Sequence, residues 1–317
     1  MKKVLFILFA AALSWQCSAP PTEDAAAVPV ERPPIVGIAN FVVMTDSIED
    51  ARMHYGHYLG YSEAFQHTRP GVEGEISVFK VNDTQFIELS PTLQREEDDK
   101  LIQIGFETEN AQQLRDYLAQ EGYEVPATVE KDADGNRSFR IADPEGHRVE
   151  FVEYLDGSLQ NNVKGQFLTE ERISDHMLHV GIHVYDEELT STLYQDILGF
   201  RPLWRGGNSD GPAEWVSLLV PDGNNWVEYM ISDRNAPPDP QRLGVLHHVC
   251  VGTTREMQQL FDEVVARGYK GTRQPHIARD GRWLAHFYDK HNTRTEAMIR
   301  KPVETPCCGE MTDPYID

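Results

Sequence analysis

Apolar residues in this chain alternate with polar ones over short stretches, stop at turn residues, and give way to a helical period once in each unit of a repeating plan. IVGIANFVVMTD, beginning at Ile35, is rich in β-branched and aromatic residues and predicts a strand. SIEDARMHYGHYLGY then predicts a helix ending at Gly60, and GEISVFKVN and TQFIELS predict two strands joined at Asn82-Asp83, with a further short strand near Glu63 to His67. A second unit opens at Leu101 with the strand LIQIGFET and the helix AQQLRDYLAQEGY, whose Leu114 and Leu118 share a face. Strands follow near Val125 to Val129, in SFRIADP and in RVEFVEYL, separated by turns at Asp134-Gly135-Asn136 and Glu145-Gly146. Residues 156–175 are polar and mixed, the composition of a boundary.

The plan then restarts. HVGIHVYD aligns with ANFVVMTD at an offset of 140, and Tyr194, Leu198, Gly199 and Phe200 match Tyr55, Leu59, Gly60 and Tyr61. VPDGNNWVEYM matches VNDTQFIEL, setting Glu228 against Glu88; at an offset of 146, FYDKHNTRTEAM matches RIADPEGHRVEF, setting Glu296 against Glu150. The chain is therefore read as an α+β tandem duplication of paired βαβββ modules, four modules in two domains at 35–155 and 176–302, with a linker at 156–175 and a tail at 303–317.

Composition adds limits. At 317 residues there is length for two cores, and a net charge of −22 repels nucleic acid and anionic lipid, which argues against such partners. MKKVLFILFAAALSWQC has the basic start and apolar run of an export leader, too short to span a bilayer comfortably, so residues 1–17 are expected to direct export. Cys17 is a candidate for lipid modification and thus a lipid anchor, with 18–34 as a tether; the expected location is periplasmic, attached to the cell envelope, or secreted. Cys250 reads as a small apolar strand residue, and Cys307 and Cys308 as spare thiols on a surface tail.

The candidate chemistry lies between His179 and Glu296. His179, Glu228, His248 and Glu296 each sit in a predicted strand, at repeat-equivalent places, and two imidazoles with two carboxylates suit a divalent metal such as Zn, Ni, Mn or Fe(II). The offsets put Ala39 opposite His179 and Ile102 opposite His248, so 36–155 is expected to lack a metal. His183, four after His179, is a candidate base on the same face; His286 and Tyr288 are candidate proton donors, with Glu228 and Glu296 as catalytic carboxylates. His247 points the other way and reads as structural or exposed, and Trp204, Trp215, Trp226, Trp283 and Met298 read as core.

LHVGIHVYD, LHHVCVG, YQDILGF, WVEYM and RTEAM resemble the strand openings, helix end and strand endings of the vicinal oxygen chelate (VOC) superfamily, which includes glyoxalase I, extradiol dioxygenases and bleomycin resistance proteins. The resemblance covers about residues 36 to 302 and implies a metal held by the four named residues, the set His, Glu, His, Glu being similar to that of glyoxalase I. It implies a glyoxalase-like lyase or isomerase acting on a small oxygenated substrate. The alternatives are an Fe(II) extradiol-type dioxygenase using His179, His248 and Glu296, or a small-molecule sequestration protein of the resistance type. Extradiol enzymes carry a tyrosine about ten residues before the ligand glutamate, where this chain has His286.

Overall fold

The computed structural model describes residues 29–69, 73–208, 211–309 and 311–312; the expected leader, Cys17 and most of the expected tether lie outside them. The first half runs β1 (Ile35–Met44), α1 (Ile48–Ala51) continued by a π-helical segment (Arg52–Tyr58), β2 (Ser62–His67), β3 (Ile76–Lys80) and β4 (Phe86–Ser90). Then come β5 (Leu101–Thr108), α2 (Ala111–Gln120), β6 (Glu130–Lys131), β7 (Arg137–Ala142) and β8 (Arg148–Glu153), with α3 (Leu159–Asn162) in the connector. The strand expected at 125–129 is absent: Val125 and Val129 pack on the core from a loop, and pairing begins only at Glu130. The second half repeats this as β9 (His176–Val184), α4 (Glu187–Ser191) with π-helical Thr192–Ile197, β10 (Arg201–Gly206), β11 (Trp215–Leu219) and β12 (Trp226–Ile231). After α5 (Leu243–Leu246) it continues through β13 (His248–Thr253), α6 (Met257–Ala266), β14 (His276–Ile277), β15 (Trp283–Tyr288) and β16 (Arg294–Ile299).

Each half is one eight-stranded sheet, ordered β2-β3-β4-β1-β5-β8-β7-β6 and β10-β11-β12-β9-β13-β16-β15-β14. The first and last strands of every module are parallel neighbours, and the two modules of a half meet antiparallel at β1–β5 and β9–β13. The crossover that a parallel pair needs is supplied by one capped helix per module. Ser47, Asn110, Asp186 and Glu256 accept from the backbone N–H groups of Asp50, Gln113, Leu189 and Gln259 respectively. Gly60 and Gly199 end the first helix of each half at φ +80°, a left-handed conformation that glycine adopts without Cβ strain.

The helix-bearing faces of both sheets share one continuous core, in which Phe106 meets Phe200 edge-on at 5.4 Å. Matched amides join the halves. Gln85 Oε1 accepts from Met177 N at 2.7 Å, and Asn225 Oδ1 accepts from Ile38 N at 3.1 Å. That leaves the opposite, cupped face of each sheet free to hold a site.

One irregularity sets what those faces carry. Cys250 pairs with His179 but Val251 pairs with Met177, so Leu178 is the extra residue of a β-bulge. In the first half Asn40 pairs with Gly105 and Ile38 with Phe106, making Ala39 the extra residue. A bulge offsets the register by one and re-aims the next side chain, here the side chain that enters the cup.

Candidate metal centre

His179 and His248 come from the antiparallel central strands β9 and β13, while Glu228 and Glu296 come from β12 and β16, the parallel partners of those strands. Pairing places Glu228 across from Gly181, Glu296 across from Cys250, and His248 across from Gly181, so the four side chains converge from four adjacent strands. A Cβ at Gly181 would stand 2.0 Å from the His248 ring, and glycine is what lets that imidazole lie across β9.

The donor atoms form one cluster. His179 Nε2 lies 3.0 Å from His248 Nε2, 3.7 Å from a Glu228 oxygen and 3.5 Å from a Glu296 oxygen; His248 Nε2 lies 3.5 Å and 3.7 Å from the same two oxygens. Two donors held ~2.1 Å from one cation stand roughly 3.0–3.5 Å apart at right-angled to tetrahedral angles, so these separations fit a single ion. Both imidazoles are fully buried, and among the described residues Arg294 pairs with Glu296 but no lysine or arginine pairs with both carboxylates. His179 Nδ1 is buried without a partner, and its ring is held instead against Trp226 at 4.9 Å. His248 Nδ1 lies 3.0 Å from the Leu246 carbonyl and 2.8 Å from Arg294 Nη2, so two neighbours compete for that nitrogen, and the tautomer that donates to the carbonyl is the one that leaves the Nε2 lone pair for a metal.

Ionisation agrees with this role. Burial alone would raise Glu296, but Arg294 and then His248 hold it well below the usual carboxylate range. Burial likewise opposes ionisation of Glu228, and His179 and His248 lower it. Burial first and Arg294 next push His248 down. At neutral pH the carboxylates are charged and His248 is neutral, the forms that ligate.

A cavity of ≈ 260 Å³ opens over the centre, with Glu228, Glu296, Arg294 and His286 at its floor and Trp204, Trp215, Leu284 and Met298 among its walls. His286 Nε2 lies 3.1 Å from Glu296 Oε1, and Tyr288 is 3.3 Å behind it at Nδ1, reaching the centre only through His286. His183 does not join them. Four residues along an extended strand advance it ~13 Å, and it lies by Tyr185 and His247, pushed down to about 4 by burial and by His247. His247 is buried and meets Asp99 of the first half at 2.9 Å, so it ties the halves together. Cys250 is buried and shares the face of His248; its thiol lies within 4.8 Å of the His179 and Glu296 ligand atoms, and burial raises it well above its ordinary value.

Several contributors were not read from the sequence. Arg294 precedes Glu296 by two and so shares its strand face, a spacing that pointed to it. Arg273, His276 and Arg279 come from a loop and a two-residue strand, where no period exists to follow. Trp204, Trp215 and Met298, expected as core, line the cavity. The tail is neither free nor a carrier of spare thiols: Cys307 and Cys308 are disulfide-bonded to each other, and Cys308 O accepts from Trp204 Nε1 at 3.0 Å.

The family model of the glyoxalase/bleomycin resistance protein/dioxygenase superfamily matches residues 37–151 and 176–297. The chain belongs to this superfamily. The Mn(II)-bound glyoxalase from Novosphingobium aromaticivorans superposes with a TM-score of 0.64 at 15% identity, over 89% of this chain and 85% of that one. The 2,3-dioxygenase LapB from Pseudomonas sp. KL28 gives 0.65 at 13%, over 85% and 93%, and homoprotocatechuate 2,3-dioxygenase from Arthrobacter globiformis gives 0.62 at 16%, over 85% and 81%. These likenesses show a shared fold. No curated protein sequence matches the chain.

Within this superfamily fold, the first half is an internal comparison. The bulge falls at the same place in both halves, and Asn40 and Gln103, not Ala39 and Ile102, stand where His179 and His248 stand: Asn40 faces Phe86 as His179 faces Trp226, and both Asn40 and Gln103 donate to Glu150 Oε2, at 2.9 and 2.8 Å. The sequence held the clue, since Tyr194 and Tyr55 are 139 apart rather than 140. Both glutamates remain, but a guanidinium meets them. Arg69 Nη2 donates to Glu88 Oε2 at 2.8 Å, and Arg140 pairs with Glu150. Burial alone would raise both carboxylates; Arg69 lowers each, helped by His67 at Glu88 and by Arg140 at Glu150. His67 and Arg69 correspond to Gly206 and Asn208, so the second half has no long basic side chain where the first half has two, and the cavity occupies that space.

Proposed function

We propose that this protein is a metal-dependent enzyme that binds adjacent oxygens of a small compound at the His179, Glu228, His248, Glu296 centre and moves a proton on it, as a glyoxalase-like isomerase or lyase. The observation carrying this reading is that Glu228, like Glu296, brings an oxygen within 3.7 Å of both imidazole Nε2 atoms, so that a fourth protein donor stands beside the other three. When bound, the cation supplies Lewis acidity that stabilises negative charge on substrate oxygen.

The side chains divide the remaining work. Glu296 Oε1 is pinned by Arg294 at 3.2 Å and His286 at 3.1 Å, which keeps it as a fixed ligand. Among the described residues Glu228 has no partner beyond the imidazoles and is the more exposed, at 13% against 5%, so it is the carboxylate free to turn towards substrate and take a proton. Burial pushes His286 down to about 4; its Nε2 stands 3.1 Å from Glu296 Oε1, and Nδ1 accepts from the Tyr288 hydroxyl. Trp204, Trp215, Leu284 and Met298 keep bulk water from the reacting carbon. The apolar leader supports placing this chemistry outside the cytoplasm, which cell fractionation tests.

The test is metal analysis of protein purified without chelator, followed by deuterium exchange at the carbon of an α-hydroxyketone in D2O and by oxygen uptake with catechols. Exchange that Glu228→Gln lowers at least 100-fold with metal retained supports the reading. Iron with oxygen uptake would replace it by ring cleavage, and protein that takes up no metal would leave only a binding role.

A further inference from the structure

The charges around the cavity do not balance once the metal reading above is accepted, on which this inference rests. A divalent cation is neutralised by Glu228 and Glu296 alone. Asp280, the remaining acid in the lining, is held by Arg282 at 2.6 Å. Arg273, Arg279 and Arg294 are left over at one small opening of a chain with a net charge of −22. Among the described residues neither Arg273 nor Arg279 has a carboxylate partner: Arg273 meets His276 Nε2 at 3.3 Å, and Arg279 has no side-chain hydrogen bond or ion pair. Arg294 meets Glu296 at 3.2 Å, whose charge the cation would take, and His248 Nδ1 at 2.8 Å; it is 7% exposed with Nε unpartnered.

A buried guanidinium beside a bound cation is costly unless an anion arrives. We propose that the ligand of this site is a compact carboxylate with an oxygen on the adjacent carbon, a 2-hydroxy- or 2-oxo-acid, whose charge is met by Arg294 within the cavity and by Arg273 and Arg279 at its mouth. Planar guanidinium forks match carboxylate geometry, which lysine would not. The volume of ≈ 260 Å³ is below the ~300–1,000 Å³ of pockets for drug-sized ligands and admits only a small acid. The indole and thioether walls suit an apolar substituent on it.

The experiment titrates Mn(II)-loaded protein calorimetrically with 2-hydroxy-2-phenylacetate and with its uncharged counterpart, 1-hydroxy-1-phenylpropan-2-one. The acid is expected to bind at least tenfold more tightly, with an advantage that falls as salt rises and is lost in Arg273→Gln/Arg279→Gln, whose Mn(II) content is unchanged. Equal affinities, no binding of either compound by the loaded protein, or an advantage that survives the double substitution would overturn the proposal. Failure to take up Mn(II) at all would remove the metal reading and this inference with it, whereas uptake without preference for the acid removes the inference alone.

Discussion

Arg69→Met asks whether a guanidinium stands in for a metal in the first half. Arg69 is 9% exposed and Glu88 1%, 2.8 Å apart, with Glu150 also buried. Removing one member of a buried ion pair strands the other and costs about 3–5 kcal/mol, whereas removing both charges together costs far less. The single substitution is expected to lose that amount in urea denaturation at pH 7, on the order of 10 °C in Tm for a unit of this size, and Arg69→Met/Glu88→Gln to recover most of it. Acid narrows the gap from both sides. In the natural chain Glu88 is lowered from its ordinary 4.5, so its contribution is present above that value and is lost as pH falls through the lowered one. In Arg69→Met only His67 still opposes burial, so Glu88 rises from its lowered value, and its less well met charge costs the variant stability that protonation restores as pH falls. A loss under ~1 kcal/mol at pH 7, or a double variant as weak as the single one, would refute the idea that this pair is a high-stakes buried contact.

Three further outcomes are expected. His248→Ala should abolish the stabilisation that excess Mn(II) gives the natural protein, about 2.7 kcal/mol at a hundred times Kd, measured as the shift in thermal unfolding with and without metal. Asn40→His/Gln103→His/Arg69→Ala should take up a second metal equivalent, read by elemental analysis, while Ala39→His, at the bulge, should not. His67, buried between Asp134 at 2.5 Å and Glu88 at 3.6 Å, is raised to about 9 because those carboxylates outweigh burial. Its contribution is therefore full below about 6.5 and fades as pH rises through 9, by about 3 kcal/mol at most; His67→Gln should flatten the alkaline side of the stability–pH curve.

The repeat, the module plan and the four converging residues could be read from sequence because each rests on period. Strand-end glutamates recur 28 or 29 residues after the glycine of a Gly-aromatic helix end, and alternation assigns them a face. His183 misled for a related reason: alternation gives the face, whereas reaching a common point also depends on position along the strand, and four residues overshoot the cup. The amides were missed differently. The offset is 140 between the glutamate strands β4 and β12 but 139 between β1 and β9, so pairing by constant offset matched Ala39 with His179 and hid Asn40, and a like slip of one residue hid Gln103.

Arg69, Arg273 and Arg279 were illegible because they belong to loops, where only coordinates say what a side chain reaches. Yet these residues decide what each half can do. Both sheets present two glutamates from the last strands of their modules, and two buried carboxylates a few ångströms apart require a positive partner. In the first half His67, Arg69 and Arg140 provide it from within the chain, and amides suffice at the central strands. In the second half Gly206 and Asn208 replace His67 and Arg69, imidazoles replace the amides, and of the two glutamates Arg294 meets Glu296 alone, so that under the metal reading the counter-charge at Glu228 comes from outside. The difference in function between two halves of one fold thus turns on who supplies the cation, a choice made by a handful of positions that hydrophobic patterning does not touch.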